Sequence, residues 1–455
     1  GKPVVTKIKW QGKPRLVVIL SGGYDTSYDK TDTVRKRENT THGAYTPPVT
    51  LGNAIYVIDI QDKVDNPDAN NPGLINNPNF GKPLIVASQN ANSVGNSVSG
   101  ASSWQTQNNA NDYVAVINDD MKHSIPGGVK VLDRDADEMA DHIYFADLEG
   151  QVFRMDINNT TSKGADSNLQ ARVVKLADLN PKTNGKYTAP GPRFYETPTV
   201  TIQTNKDGKR LATVSVASGD RSNPLAQGDK ADVLFTLYDK DVADAQLYHG
   251  LTVKPPITAT TPNLTLGVQS LTAGRLYTTL KEANNRAYFE YDGWMAPLTR
   301  HGKINRNNNY SHSTNIKAMG PLSAIGNRLY LSAYNPDKND EIENACIPHV
   351  KGETETHQYC LPYGICVDGS GDQYQRFTTG KGILLPSFGS LGNDTTARSI
   401  LTQDAGDGNT GGSVAGNHVG LNKTAPKVKS NFELNGHLRP LMWYDIQSKK
   451  HDDTP

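Results

Sequence analysis

The chain is 455 residues long with 36% hydrophobic residues, and its 47 Lys and Arg balance its 47 Asp and Glu. That neutrality supplies no global field for nucleic acid or anionic lipid, and no apolar run is long enough to span a bilayer. Abundant Asn, Thr and Ser, with 41 Gly and 26 Pro, favour short strands on polar loops over helical bundles or doubly wound α/β layers.

The chain opens on Gly1, so it reads as an excised fragment, and a missing signal peptide says nothing of destination. Strand signals then run in order through residues 15–20 (RLVVIL), 53–60 (NAIYVIDI), 83–87 (PLIVA) and 112–118 (DYVAVIN). Residues 142–157 (HIYFADLEGQVFRMDI) read as a hairpin, with Ile143 and Phe145 on one face before the turn and Phe153, Met155 and Ile157 after it. Its turn, 147–150, has Asp where a type I turn favours it and Gly where the chain must leave. Residues 171–179 (ARVVKLADL) supply the next strand, followed by 195–204, 210–220 and 231–241. Residues 263–286 are the best helix candidate, with Leu266, Val268 and Leu271 spaced as a loose apolar stripe. Strand patterns resume at 286–294, 320–336, 380–386 and 438–446.

Three clusters share a unit: a strand ending in a small-residue turn, a spacer, then an aromatic-rich strand ending in Asp, as in VVILSGGYD…AIYVIDIQ and TVSVASGDR…VLFTLYDK. A degenerate repeat of antiparallel units fits a β-propeller better than a two-sheet sandwich of this length, and it lacks the WD40 and kelch signatures.

Between two strand signals stands DRDADEMAD, residues 133–141. Ca²⁺ takes six to eight hard oxygen ligands, and alternating carboxylates on a tight loop deliver them. Asp133, Asp135, Asp137 and Asp141 occupy the first, third, fifth and ninth positions, and Met139 at the seventh would offer its carbonyl. These are the first nine positions of an EF-hand loop, from which the chain then departs: Glu138 stands where Gly is usual and Tyr144 where a bidentate Glu is usual. The competing reading is a solvated acidic hairpin loop. Against it, four aspartates in this phase repel one another where the strand must begin, and a cation removes that repulsion. With no His or Cys at a ligand position, Ca²⁺ is preferred; Mg²⁺ takes fewer carboxylates in a stiffer octahedron. Residues 335–343 (NPDKNDEIE), with alternating Asp337, Asn339 and Glu341, are a weaker second candidate.

The three cysteines, Cys346, Cys360 and Cys366, fall in one short segment. Such clustering suits one loop-stapling disulfide of an exported protein with a third thiol left over, and residue spacing does not choose the pair. Zinc with His349 and His357 is the competing reading, but no CxxC knuckle is present. No His, nucleophile and base fall into a hydrolase constellation.

Residues 123–157 (HSIPGGVKVLDRDADEMADHIYFADLEGQVFRMDI) resemble the calcium-loop segment of the PilC/PilY family of type IV pilus-associated tip adhesins. Phe153 stands at the usual Trp position, with Arg154 and Asp156 as that pattern expects. SGDRSNPL (218–225) and YDGW (291–294) are further matches, and residues 326–366 are similar to a cysteine-bearing segment of Neisseria-type PilC. The resemblance implies a single domain over 1–455, folded as a modified quinoprotein-like β-propeller of roughly seven blades. It would be the C-terminal domain of a longer secreted adhesin, exported through the periplasm to the outer membrane, cell surface or pilus tip. It further implies that Ca²⁺ on Asp133, Asp135, Asp137, the Met139 carbonyl and Asp141 regulates pilus extension and retraction, twitching and host-cell adhesion. Partners would be pilins or minor pilins and a host-cell receptor, with no enzymatic activity. No Arg-Gly-Asp tripeptide occurs, so integrin binding through that motif is not expected. Two alternatives stand beside this: a quinone-cofactor dehydrogenase, which would need an adjacent-cysteine pair absent here, and a carbohydrate-binding propeller, encouraged by 20 Tyr.

Overall fold

The computed structural model describes residues 1–29, 51–68, 70–91, 104–106, 113–159, 169–180, 182–183, 186–187, 191–204, 208–225, 232–248, 256–258, 268–270, 292–301, 313–325, 327–336, 352–362, 364, 375–385, 387–389, 397–402 and 427–433. They group into two compact units, one drawn from 1–212 and 238–261, the other from 213–237 and 262–439. The expected all-β class holds. Helical turns among the described residues are two short 3-10 segments, Thr26–Asp29 and Asp241–Ala243, and no helix there is long and apolar enough to cross a membrane.

In the first unit, β1 (Val4–Trp10) and β2 (Lys13–Ser21) form a hairpin. Gln11 and Gly12 both have positive φ, 49° and 75°, as a two-residue turn matching the strand twist requires. Ile8 and Trp10 point inward while Lys7 and Lys9 stay at the rim; β2 buries Arg15, Val17 and Ile19. β3 (Ile55–Asp59) and β4 (Pro83–Ser88) continue the antiparallel sheet, and β5 (Val114–Ile117) closes it in parallel. The Asp ending β3 is structural: Asp59 is fully buried, takes Arg15 Nη1 at 3.0 Å, and caps the Gln61 amide at 3.0 Å.

The second sheet of this unit carries the acidic loop. It runs β6 (Lys130–Leu132), β7 (His142–Ala146), β8 (Gln151–Asn158) and β9 (Gln170–Asp178), all antiparallel. The predicted 147–150 turn joins β7 to β8: Asp147 Oδ1 accepts from the Glu149 and Gln151 amides at 2.9 Å, and Gly150 has φ 77°. The sheet is buried on both faces, but the faces differ. Ile143, Phe145, Phe153, Met155, Ile157, Ala171 and Val173 share one apolar core with Ile8, Trp10, Val17, Ile19, Ile55 and Val57 of the first sheet. The Phe145 and Phe153 rings stack at 5.2 Å, and each such buried side chain contributes about 1.5–3 kcal/mol. The opposite face, in register across the strands, holds His142, Tyr144, Arg154, Asp156 and Arg172.

In the second unit, β10 (Gly293–Pro297) pairs antiparallel with residues 233–237. Val268–Ser270 is a strand, running parallel to β10 with Gln269 opposite Trp294. This corrects the helix expected over 263–286, whose other residues lie outside those described; strand pairing outweighs a loose apolar stripe weakened by glycines. β11 (Arg328–Asn335), β12 (Glu353–Cys360) and β13 (Gln375–Lys381) form an antiparallel sheet. The strand expected at 380–386 therefore ends at Lys381. Gly382 (φ 78°) turns the chain, the Leu384 amide bonds the Thr354 hydroxyl at 3.0 Å, and Ile383 and Leu385 are exposed. The sequence 438–446 and the second acidic string, with Asp337, Asn339 and Glu341, lie outside the described residues.

Candidate metal centre

His142 pairs with Leu132, so residues 133–141 are the whole connection between β6 and β7. The Asp141 amide donates to the Leu132 carbonyl at 3.0 Å and closes the neck. Carboxylates then shape the loop from within. Asp133 accepts from the Ala136 amide at 2.7 Å and the Glu138 amide at 2.9 Å, and Asp137 Oδ1 accepts from the Met139 amide at 2.9 Å. The turn that Gly usually makes is made by Ala136 and Glu138, with φ of 61° and 66°. Left-handed backbone at a non-glycine residue costs about 1–2 kcal/mol, so the Asp133 bonds offset local strain.

Asp133, Asp135 and Asp141 each present a carboxylate oxygen, and these three atoms lie within 4.8 Å of one another. Twice a typical Ca²⁺–oxygen distance is about 4.8 Å, so one hard cation can touch all three. Asp135 Oδ1 is buried with no hydrogen-bond donor, and its like-charged neighbour Asp137 has its own carboxyl pushed up, by burial first and by Asp135 in addition. An enclosed acceptor facing other acceptors is a place where a cation can sit. The residues present therefore fit a hard, oxygen-liganded divalent ion. Asp137 stands outside the converging three.

Asp141 is 3% exposed. Burial pushes its carboxyl up to about 7, reinforced by Asp135 and Asp137 and opposed by two hydrogen bonds. Those bonds come from the Arg134 amide to Oδ2 at 2.6 Å and from Asn159 Nδ2 to Oδ1 at 3.0 Å. Asn159 was not legible as a site residue, being 18 positions beyond Asp141 at the end of β8. Its amide also donates to the Ala140 carbonyl at 2.8 Å, and its oxygen accepts from the Lys9 amide at 2.9 Å. With the Met139–Lys7 bridge and the Ala140 amide on the Lys7 carbonyl at 2.8 Å, it stitches the loop to β1. Outside, Lys7 Nζ meets Glu138 at 2.8 Å and holds that carboxyl low.

Beneath the loop lies a charge network. Arg154, fully buried, forks onto Asp156 (Nε–Oδ1 2.6 Å) and onto Asp239 (Nη1–Oδ1 2.7 Å). Asp156 also accepts from Arg172 Nε at 2.8 Å and pairs with His142 Nδ1 at 2.8 Å. The Tyr144 hydroxyl donates to Asp239 at 3.0 Å. Burial acts to raise Asp156, but Arg154 and His142 override it and hold the carboxyl well below the usual range. At His142 burial drives the imidazole's pKa down although Asp156 pulls it up. With two guanidiniums already on Asp156, the neutral ring prevails and donates Nδ1–H to it. Arg154 and Asp156, two positions of the family-like pattern, thus hold the strand that follows the loop.

Cys360 is disulfide-bonded, which removes it from any zinc site; Cys346, Cys366 and His349 lie outside the described residues. His357 Nε2 faces Glu355 at 3.2 Å, in the buried part of β12.

Fold and site together define an all-β protein of several mostly antiparallel sheets bearing a carboxylate loop suited to a hard cation. No family model matches the chain, and no curated protein matches it in sequence. Among solved structures it is similar to the crystal structure of the C-terminal domain of PilY1 from Pseudomonas aeruginosa, with 14% identity and a TM-score of 0.41 over 88% of this chain and 82% of that one.

Proposed function

We propose that this chain is the calcium-binding propeller domain, of roughly seven blades, of a type IV pilus-associated adhesin, and that it acts by binding rather than by catalysis. The observation that carries the ion is the convergence of Asp133, Asp135 and Asp141 around the donor-less Asp135 Oδ1. The pilus assignment is supported by the ordered motifs between residues 123 and 366. In this reading Asp137 and the Met139 carbonyl complete the ligand set. A bound ion supplies the positive charge that lets four aspartates share one short loop. The protein's own groups do the rest: Asp133 sets the turn, Asn159 and the Arg134 amide aim Asp141, and the network under His142 keeps the β7 start rigid. The domain would stand at the cell surface or pilus tip, engaging pilins or minor pilins and a host receptor.

Calorimetric titration of chelator-treated protein with CaCl₂ tests the ion, comparing wild type with Asp135→Asn. Calcium binding that is unchanged by this substitution would sink the site. Loss of piliation and twitching in cells carrying the same change, with capture of minor pilins only in calcium, tests the pilus role; normal twitching would refute it.

A further inference from the structure

We infer that occupancy of the acidic loop is coupled through Arg134 to the conformation of residues 241–248; this rests on the cation reading above. Arg134 lies between two converging ligands, Asp133 and Asp135, and its amide is fixed by the third, Asp141, at 2.6 Å. Its side chain leaves the cluster. Arg134 Nη2 donates to the Asp244 carbonyl, and the guanidinium sits 5.3 Å from the centre of the Tyr248 ring.

The segment that receives it follows directly on Asp239, the acceptor of Arg154. Asp244 is the centre of its turn: the amide bonds the Asp241 carbonyl at 2.9 Å, and the Asp244 carbonyl also accepts from the Leu247 amide at 3.1 Å. Two guanidiniums therefore hold this strap by its carbonyls, Arg134 at Asp244 and Arg172 at Leu247, the latter at 3.2 Å. They differ in what holds them. Arg172 is anchored on Asp156 in the core, independently of the loop. Arg134 has its backbone anchored on a ligand, so its position follows the loop.

Tyr248 gathers these contacts. Its ring stacks on His142 (6.4 Å, 12°) and lies 5.8 Å from Trp104, and its hydroxyl donates to the Ile157 carbonyl at 3.3 Å. Without an ion, repulsion among the carboxylates leaves the loop less firmly set, though Asp141 stays buried, so the Arg134 hold on the Asp244 end loosens while Arg172 retains the other. With an ion, both ends are pinned, and Asp244, Ala245 and Gln246, all exposed, are presented in one conformation. The two sites share one two-state element, which is what coupling requires.

Chelator-treated protein titrated with CaCl₂, followed by tryptophan emission and amide hydrogen exchange, tests this. Emission is expected to change with calcium and the change to vanish in Trp104→Phe; exchange over 241–248 is expected to slow about tenfold. Arg134→Gln keeps the amide on Asp141 but removes the fork. It should still bind calcium by calorimetry, while exchange over 241–248 no longer responds. Arg134→Met, which removes both the charge and the donors, should behave the same way and serves if the glutamine variant melts early. Calcium binding with no response of the strap in wild type, or a full response in both variants, overturns the coupling and leaves the ion site standing. Absence of calcium binding in wild type overturns both.

Discussion

Asp141→Asn should make the calcium-free protein more stable at pH 8 and less responsive to calcium, opposite effects from one atom exchange. The Asp141 carboxyl is raised from 3.8 to about 7 in the folded protein, by burial first and by Asp135 and Asp137 in addition. Below about pH 4 the carboxyl is protonated folded and unfolded alike, and nothing is lost. As pH rises from 4 to 7 the unfolded chain releases this proton while the folded one retains it, so calcium-free stability falls. Above pH 7 the loss is complete, and at 1.36 kcal/mol per pH unit it amounts to roughly 4 kcal/mol. Asparagine removes the charge but keeps only one of the two acceptors used by the Arg134 amide and Asn159, which costs about 1 kcal/mol. The variant should therefore gain roughly 2–3 kcal/mol at pH 8 in chelator and little or nothing near pH 4. Urea unfolding between pH 4 and 8, with and without calcium, reads both. A variant less stable than wild type at pH 8 in chelator would show that the carboxylate is not under electrostatic load, and the reasoning would fail.

Asn159→Ala should weaken calcium binding about tenfold, because it frees Asp141 to swing and detaches β1 at Lys9; calorimetry checks it, and unchanged affinity would return Asn159 to a purely structural role. Arg154→Met should cost about 3–5 kcal/mol in urea unfolding, since Asp156 and Asp239 lose their shared fork while remaining buried.

The strands that declared themselves were those whose alternation or apolar runs came from Val, Ile, Leu and Phe, such as 15–20, 53–60 and 142–157. Others were hidden by their chemistry, β1 and β12 among them. β1 (VVTKIKW) sets inward Ile8 and Trp10 against outward Lys7 and Lys9, and β12 (ETETHQYC) is almost wholly polar. In β12 the burial of Thr354, Thr356 and Gln358 follows from cross-strand pairing to β11 and β13, which no local pattern encodes. The loop was legible because its information is local: carboxylates in alternate positions next to a strand. Arg134's reach to Asp244 and Asn159's hold on Asp141 join positions 110 and 18 residues apart, and only the fold brings them together.

The departures from an EF-hand also acquire a cause. A twelfth-position ligand would have to come from Tyr144, but that residue is the third of β7, opposite Arg154 in register, with its hydroxyl committed to Asp239. Strand pairing begins at His142, so any ligand set must close within nine residues. Asp141 is the last position before the ladder starts, and it is the most buried carboxylate of the loop, aimed by two donors from outside the ligand set. A helix following the loop would leave the twelfth residue free to turn back toward the ion; a strand does not. In the proposed calcium reading the hairpin exchanges a twelfth-position ligand for an anchored one, and affinity should then follow how firmly Asn159 and the Arg134 amide hold Asp141.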